Sequence, residues 1–453
     1  MEKPFFLLCM LAAAAAPLAV RAADERDITE IRQEIKAIKE GYEARLQALE
    51  ARLKEAEAKA EQVAQSAALA ANPSRQSAGA AFNPAISLVL QGRYANLSRD
   101  PERFAISGFI PSGGSGPGKR GFSLAETELT LSANVDDKFF GQTTLAVTPE
   151  NEISVEEAYA LATGLPAGLT LKAGRLLSGI GYQNEQHQHV WDFIDAPLAY
   201  QVFLGGQFRN DGLQLKWVAP TDLFFELGAE AGNGQNFPGT RGNKNGSGSA
   251  ALIARLGGDI GYSSNWRVGL SALRTRAENR EFTQAALTGN AASNSFTGST
   301  RLAIADFIFK YAPNGNPLRT NFKLQGEYFR RAENGELTFD ADGRLGLTNT
   351  DAYRSSQTGW YLQGVYQFVP RWRVGLRYDR LNPGTVALAG NAANLDTPSF
   401  KPYKATLMFD WSPSEFSRIR LQAARDHSQP GATDNQLFLH YIMTLGAHGA
   451  HKF

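Results

Sequence analysis

Two hydrophobic periods divide the chain. From Asp24 to about Gln65, apolar residues recur at Ile28, Ile31, Ile35, Ile38 and Tyr42, then at Leu46, Leu49, Leu53, Ala56, Ala60 and Val63. The steps alternate between three and four, with one extra four between Tyr42 and Leu46, which is a coiled-coil seam carrying a stutter. Isoleucine at both seam positions of the first half leans toward three strands rather than two. A single amphipathic helix lying on a surface is the alternative, and the narrow stripe disfavours it. After Phe82 the period drops to two and stays there. In 403–411, Tyr403, Ala405, Leu407, Phe409 and Trp411 share one face, and Lys404, Thr406, Met408 and Asp410 the other. Trp372, Val374, Leu376 and Tyr378 stand likewise against Arg373, Arg377 and Asp379, and Trp266, Val268, Leu270 and Ala272 against Arg267 and Ser271. Strands of about ten residues with one apolar and one charged face predict a transmembrane β-barrel. The strands of a soluble sandwich are shorter, about 5–6 residues on average.

About sixteen antiparallel strands are predicted, near 85–97, 122–135, 138–148, 152–162, 168–176, 209–218, 222–232, 250–262, 265–278, 300–312, 318–331, 357–369, 371–382, 401–412, 416–427 and 435–446. Every second link is tight, as at Asp136-Asp137, Pro220-Thr221, Ser263-Ser264 and Pro413-Ser414, and most others are long and rich in Gly, Asn and Ser. Short turns on one rim and long loops on the other are the outer-membrane pattern. Trp217, Trp266, Trp372 and Trp411 sit on apolar faces beside predicted short turns, where an aromatic girdle belongs. The last strand shares its parity with the terminal Phe453, although Ala447 to Lys452 interrupts the apolar series.

The ends and the composition complete the layout. Residues 1–22 read as a signal peptide, with Lys3, an apolar stretch from Phe5 to Leu18 and a small-residue cleavage site at Val20-Arg21-Ala22. Residues 24–67 are the coiled coil, placed in the periplasm, 68–84 a linker, and 85–453 the barrel. Cys9, the one cysteine, falls in the segment to be removed, which excludes disulfides, thiolate metal sites and a cysteine nucleophile from the mature chain. A net charge of +1 over 453 residues argues against a nucleic-acid partner. The mean hydropathy is −0.30, and no apolar run of about 20 residues follows the N-terminus, so helical spans are excluded.

About sixteen strands leave a water-filled lumen. Its predicted lining has an acidic half, with Glu126, Glu128, Glu156, Glu226 and Glu230, and a more basic half, with Arg267, Lys323, Arg331, Arg373, Arg377, Arg418 and Arg420. Folded into a ring, the two halves set up a transverse field; scattered solvated charges are the alternative. The third long link, Leu177 to Phe208, holds eight aromatic or imidazole side chains and is too apolar to float in water. It is expected to fold into the lumen as a constriction, with Asp192, Asp195 and Arg209 at the eyelet, or else to serve as a surface lid or latch. His187 with His189, and His448 with His451, are weak candidates for a metal; solvated loop histidines are the commoner case. No cofactor motif and no outward-facing Ser–His pair for a membrane-edge hydrolase stands out, so no cofactor and no enzyme activity is expected.

The signal peptide, helical stretch, alternating strands, elaborate third loop and terminal Phe453 resemble bacterial outer-membrane porins, and among them the phosphate-selective porin O and P family. The resemblance covers the barrel and is architectural. It implies a homotrimer in the outer membrane of a Gram-negative cell, surrounded by lipid and lipopolysaccharide, that passes small hydrophilic solutes or ions by diffusion. It further implies anion binding by lumen cations, here Arg373, Arg377, Arg418 and Arg420, although the acids facing them depart from a phosphate-specific lining. A structural role stands beside this one: about 40 helical residues span on the order of 60 Å, enough for the coiled coil to approach peptidoglycan as an envelope tether.

Overall fold

The computed structural model describes residues 84–110 and 115–446, together with Gln33 and Lys36, both helical and exposed. The predicted signal peptide, the linker apart from Pro84, the rest of the coiled coil, His448, His451 and Phe453 lie outside the described residues. The chain divides into two units, Met1–Ala81 and Phe82–Phe453.

The second unit is a closed up-and-down barrel of sixteen strands. They are β1 (Ala85–Leu97), β2 in two pieces (Gly121–Leu124 and Thr127–Asn134), β3 (Phe139–Val147), β4 (Ile153–Ala162), β5 (Leu169–Leu177), β6 (Arg209–Val218), β7 (Phe224–Gly232) and β8 (Ser249–Ile260). The second half comprises β9 (Ser264–Ala285), β10 (Ala291–Tyr311), β11 (Asn321–Phe339), β12 (Asn349–Val369), β13 (Trp372–Ala387), β14 (Tyr403–Ser414), β15 (Ser417–Gln429) and β16 (Ala432–Gly446). Each strand pairs antiparallel with the next. The ring closes where β1 meets β16, from Ser87 opposite Gly446 to Leu97 opposite Gln436, so no sheet edge is left unpaired.

The two-residue period decides which side each residue faces. In β14, Lys404, Thr406, Met408 and Asp410 are buried inside while Ala405, Leu407, Phe409 and Trp411 are exposed outside. The outer face carries Leu252, Leu270, Leu376, Leu421 and Leu439 in the open, an apolar band that water would not tolerate and lipid accepts. Trp372 stacks on Trp411 with ring centroids 5.5 Å apart, and the Trp217 indole donates to the Ala167 carbonyl in a short turn. Both belong to the short-turn rim, where the aromatic girdle was expected. Among the described residues no helix is long and apolar enough to cross a membrane.

Two expectations need correction. Strands β9 to β12 run to 22, 21, 19 and 21 residues, well past the predicted spans. The sequence pattern follows the apolar outer stripe, which stops where lipid stops, whereas the hydrogen-bonded ladder continues. Beyond it the outer face of β9 turns polar at Arg274, Arg276 and Glu278. The link between β9 and β10 is consequently short, residues 286–290, and two others on the long-loop rim, 148–152 and 430–431, are short as well. The lumen is also not an open aqueous pipe. Ile253, Leu273, Leu302, Ile304, Phe329 and Leu381 point inward and form a buried cluster with residues of the first and third loops.

Candidate functional site

The third loop, residues 178–208, lies inside the barrel. Its interior run Leu198–Leu204 forms a short helix, α1, every residue of which is buried. Gly205 ends the helix in the left-handed region at φ 69°, which a side chain would strain. One side of α1 packs on β11 to β13 through Phe203, whose ring stacks on Phe329 at 6.0 Å and meets Phe109 of the first loop edge-on at 5.8 Å. Gly359 of β12 makes room for this contact: a Cβ there would stand 3.1 Å from the Phe203 ring and 2.5 Å from Leu381. Phe203→Ala should therefore leave a cavity costing about 3–5 kcal/mol, read as a lower urea midpoint for unfolding of the purified protein.

Polar anchors fix the loop around nearly the whole ring. Glu327 of β11 accepts from the backbone N–H groups of Tyr182 (3.1 Å) and Gln183 (3.0 Å) and from the hydroxyls of Tyr200 (2.9 Å) and Tyr361 (2.6 Å). Burial and the adjacent Glu327 carboxyl push the Tyr200 phenol well above its ordinary pKa, so it stays a donor. Glu230 of β7 accepts from Gly179 N–H at 2.7 Å, and Asp379 of β13 from Leu198 N–H at 3.0 Å.

The loop's own charges are matched to the wall that each one faces. Asp195 pairs with Arg377 and Lys404, each at 2.9 Å, and accepts from Gln422 at 2.7 Å. Burial alone would raise its pKa, but the two cations beside it hold the carboxyl well below the usual range. Asp192 pairs with Arg373 at 3.2 Å and with Lys323. Glu185 meets Arg255 at 2.8 Å and Lys216 at 2.5 Å. On the opposite, acidic wall, His187 and His189 face Glu128, Glu156 and Glu157. Carboxylates cluster on β2 and β4 and cations on β11, β13 and β14, but the second group is interspersed with Glu327, Asp379 and Asp410, and Arg255 and Lys216 stand in the first half of the barrel.

The remaining candidates fall in place one by one. Arg420 makes a bidentate pair with Asp410 at 2.7 and 3.0 Å, and Arg373 joins the same carboxylate. Glu226 pairs with Arg255 at 2.8 Å. Arg267 contacts Asp306 at 3.3 Å and lies over the Tyr182 ring. Glu126 sits at the break in β2 with Glu128 and Glu156. Among the described residues Arg418 reaches the carbonyls of Trp191 and His189, at 3.4 and 3.3 Å. Arg209 opens β6, and the ion pairs of Asp192 and Asp195 come from β11, β13 and β14. His187 caps a 3-10 turn at Gln188–Val190 and His189 lies within it. Sequence reasoning did not single out Arg255, Lys310 or Glu157. Inward parity within their strands was the available signal for the first two.

Below the loop, at the short-turn rim, opens a vestibule of about 1100 Å³. Lys310, Lys323, Arg371, Arg373 and Arg418 line it, against Asp192, Asp259 and Glu415. Arg418 has no ion pair among the described residues, and Lys310 has neither ion pair nor hydrogen bond there.

A closed antiparallel barrel with an apolar outer band and an aromatic short-turn rim is the outer-membrane architecture, and this chain is a bacterial outer-membrane β-barrel. An uncharacterized protein of Aquifex aeolicus (strain VF5) is 32% identical to it over 401 residues, covering 82% of this chain and 80% of that one, and the chain belongs to the same family. No family model matches. Similar solved structures include a loop L8 deletion mutant of OmpT, an outer membrane protein of Vibrio cholerae, at 11% identity and TM-score 0.49 over 80% of this chain and 99% of that one. The outer membrane channel DcaP of Acinetobacter baumannii gives 10% and 0.49 over 80% and 97%, and Salmonella typhi OmpF 13% and 0.48 over 80% and 97%.

Proposed function

We propose that the protein is a passive outer-membrane channel for small hydrophilic solutes, constricted by its third loop and favouring anions. The observation that carries this reading is the vestibule beneath the loop, where basic groups outnumber acidic ones and three, Lys310, Arg371 and Arg418, have no carboxylate partner among the described residues. A cation held without a counter-charge in a water-filled cleft of low-dielectric walls raises the local concentration of anions. The loop then acts as a sieve. Asp192 and Asp195 hold it against the basic wall, so those arginines are occupied as anchors and the unpaired cations of the vestibule remain for solute. Phosphate specificity is not part of this reading, because most of the arginines carried over from the porin resemblance face carboxylates.

The assembly is proposed to be a homotrimer in lipopolysaccharide-containing membrane, with residues 24–67 as a periplasmic coiled coil. No feature of the described residues favours the tether over the channel. The test is the zero-current potential of the purified full-length protein in a planar bilayer under a tenfold potassium chloride gradient. A potential of the sign set by chloride is expected. A potential of the sign set by potassium would refute the anion preference.

A further inference from the structure

Two irregularities of the strands converge on one point of the lumen wall. In β4, Thr144 of β3 pairs with Glu157 and Leu145 with Val155, so Glu156 is an extra, bulged residue. A bulge re-aims side chains, and here it buries two consecutive glutamates, at 0% and 5% exposure. Two strands away, β2 breaks between Leu124 and Thr127, at Glu126. Glu128, the next inward residue, is 1% exposed. Four carboxylates thereby gather on one patch, and the ion pairs that reach them come from His187, His189 and Lys172.

The third loop brings its two imidazoles to this patch. Nδ1 of His187 lies 2.9 Å from Glu156 and 3.2 Å from Glu128, and Nδ1 of His189 lies 2.8 Å from the other oxygen of Glu128. The far nitrogen of His187, Nε2, is 3.1 Å from Glu157, which also accepts the Leu177 N–H at 3.0 Å. An imidazole whose outer nitrogen is held by a carboxylate, itself held by backbone, is the arrangement that orients metal-binding histidines. The site is also short of partners. Oε1 of Glu156 and Oε1 of Glu126 are buried with no hydrogen bond. Protons on the imidazoles leave both of these oxygens unsatisfied, which is costly for buried carboxylates, whereas a divalent cation among them supplies the missing charge.

We propose that His187, His189, Glu128 and Glu156 bind one divalent transition-metal ion, with Glu157 as the positioning residue for His187. Two imidazoles with two carboxylates suit zinc and its neighbours rather than calcium or magnesium, which take oxygen ligands. The ion ties the third loop to β2 and β4, complementing the Asp192 and Asp195 anchors on the opposite wall. This site requires the barrel fold alone and stands apart from the channel reading.

The test uses full-length protein in detergent, stripped with a chelator and then titrated with Zn²⁺ by calorimetry, with Co²⁺ absorption as a second readout. One ion per chain is expected, with a visible Co²⁺ band of nitrogen–oxygen coordination. His187→Gln with His189→Gln should abolish the band, and Glu157→Gln should weaken binding about 10- to 100-fold. His448→Gln with His451→Gln should leave binding unchanged. Heat-dependent gel mobility confirms that each variant is a folded barrel. Absence of stoichiometric Zn²⁺ binding by the unmodified protein would overturn the proposal. So would binding that survives loss of His187 and His189 but vanishes without His448 and His451.

Discussion

Removal of residues 183–204 is expected to raise single-channel conductance severalfold. The segment contributes no rung to the barrel: closure depends on the ladder between β1 and β16, and each strand pairs with its chain neighbour. What the segment does supply is bulk, since α1 and its flanks are buried against Ile253, Leu302, Phe329 and Leu381 in the middle of the lumen. A ring of about sixteen strands is wide enough for an aqueous channel once nothing fills it. The wall groups that lose their partners, Glu327, Arg377 and Lys404 among them, are charged and would be hydrated in the vacated space. The shortened protein should therefore still migrate as a folded barrel in unheated gels. Conductance equal to that of the full chain, from a variant shown to be folded, would mean that solutes pass somewhere the loop does not reach.

The second large effect concerns selectivity. Lys310→Glu combined with Arg418→Glu is expected to reverse the sign of the zero-current potential in a salt gradient. The two substitutions exchange two of the three vestibule cations without a carboxylate partner for anions, a change of four charges within one cavity. In a cleft flanked by protein the field is screened less than at an open surface, so the reversal should persist at about 0.1 M salt, where the Debye length is about 10 Å. Arg420→Gln is the contrasting case. Arg420 is spent on a bidentate pair with Asp410, so its removal should harm stability more than it alters selectivity.

The barrel was legible because lipid and lumen impose opposite demands on alternate residues. Leu407 and Phe409 against Thr406 and Asp410 state the orientation of β14 without reference to any other strand. The inward charges were legible for the same reason, as Glu226, Arg377 and Arg420 are buried at the inward parity of their strands. Their partners were not. Which loop carboxylate joins Asp410 beside Arg373 depends on the path of a 31-residue loop with no internal period, and Asp192 and Asp195 were found through its aromatic content instead. Arg209 forms no ion pair with either aspartate among the described residues, since nearness in sequence to the loop's end says nothing about which wall the loop's carboxylates face. The Glu156 bulge is invisible to alternation, since an inserted residue looks like a lapse in the pattern. The extended ends of β9 to β12 were missed because outside the bilayer their outer face has no reason to be apolar.

The most direct test of the central claim is current recording from the purified full-length protein inserted in a planar bilayer. A lipid-spanning barrel narrowed by its own third loop should give discrete current steps, smaller than those of the variant lacking residues 183–204. Protein that is protected by the bilayer from protease yet passes no current, with the loop present or removed, would contradict it.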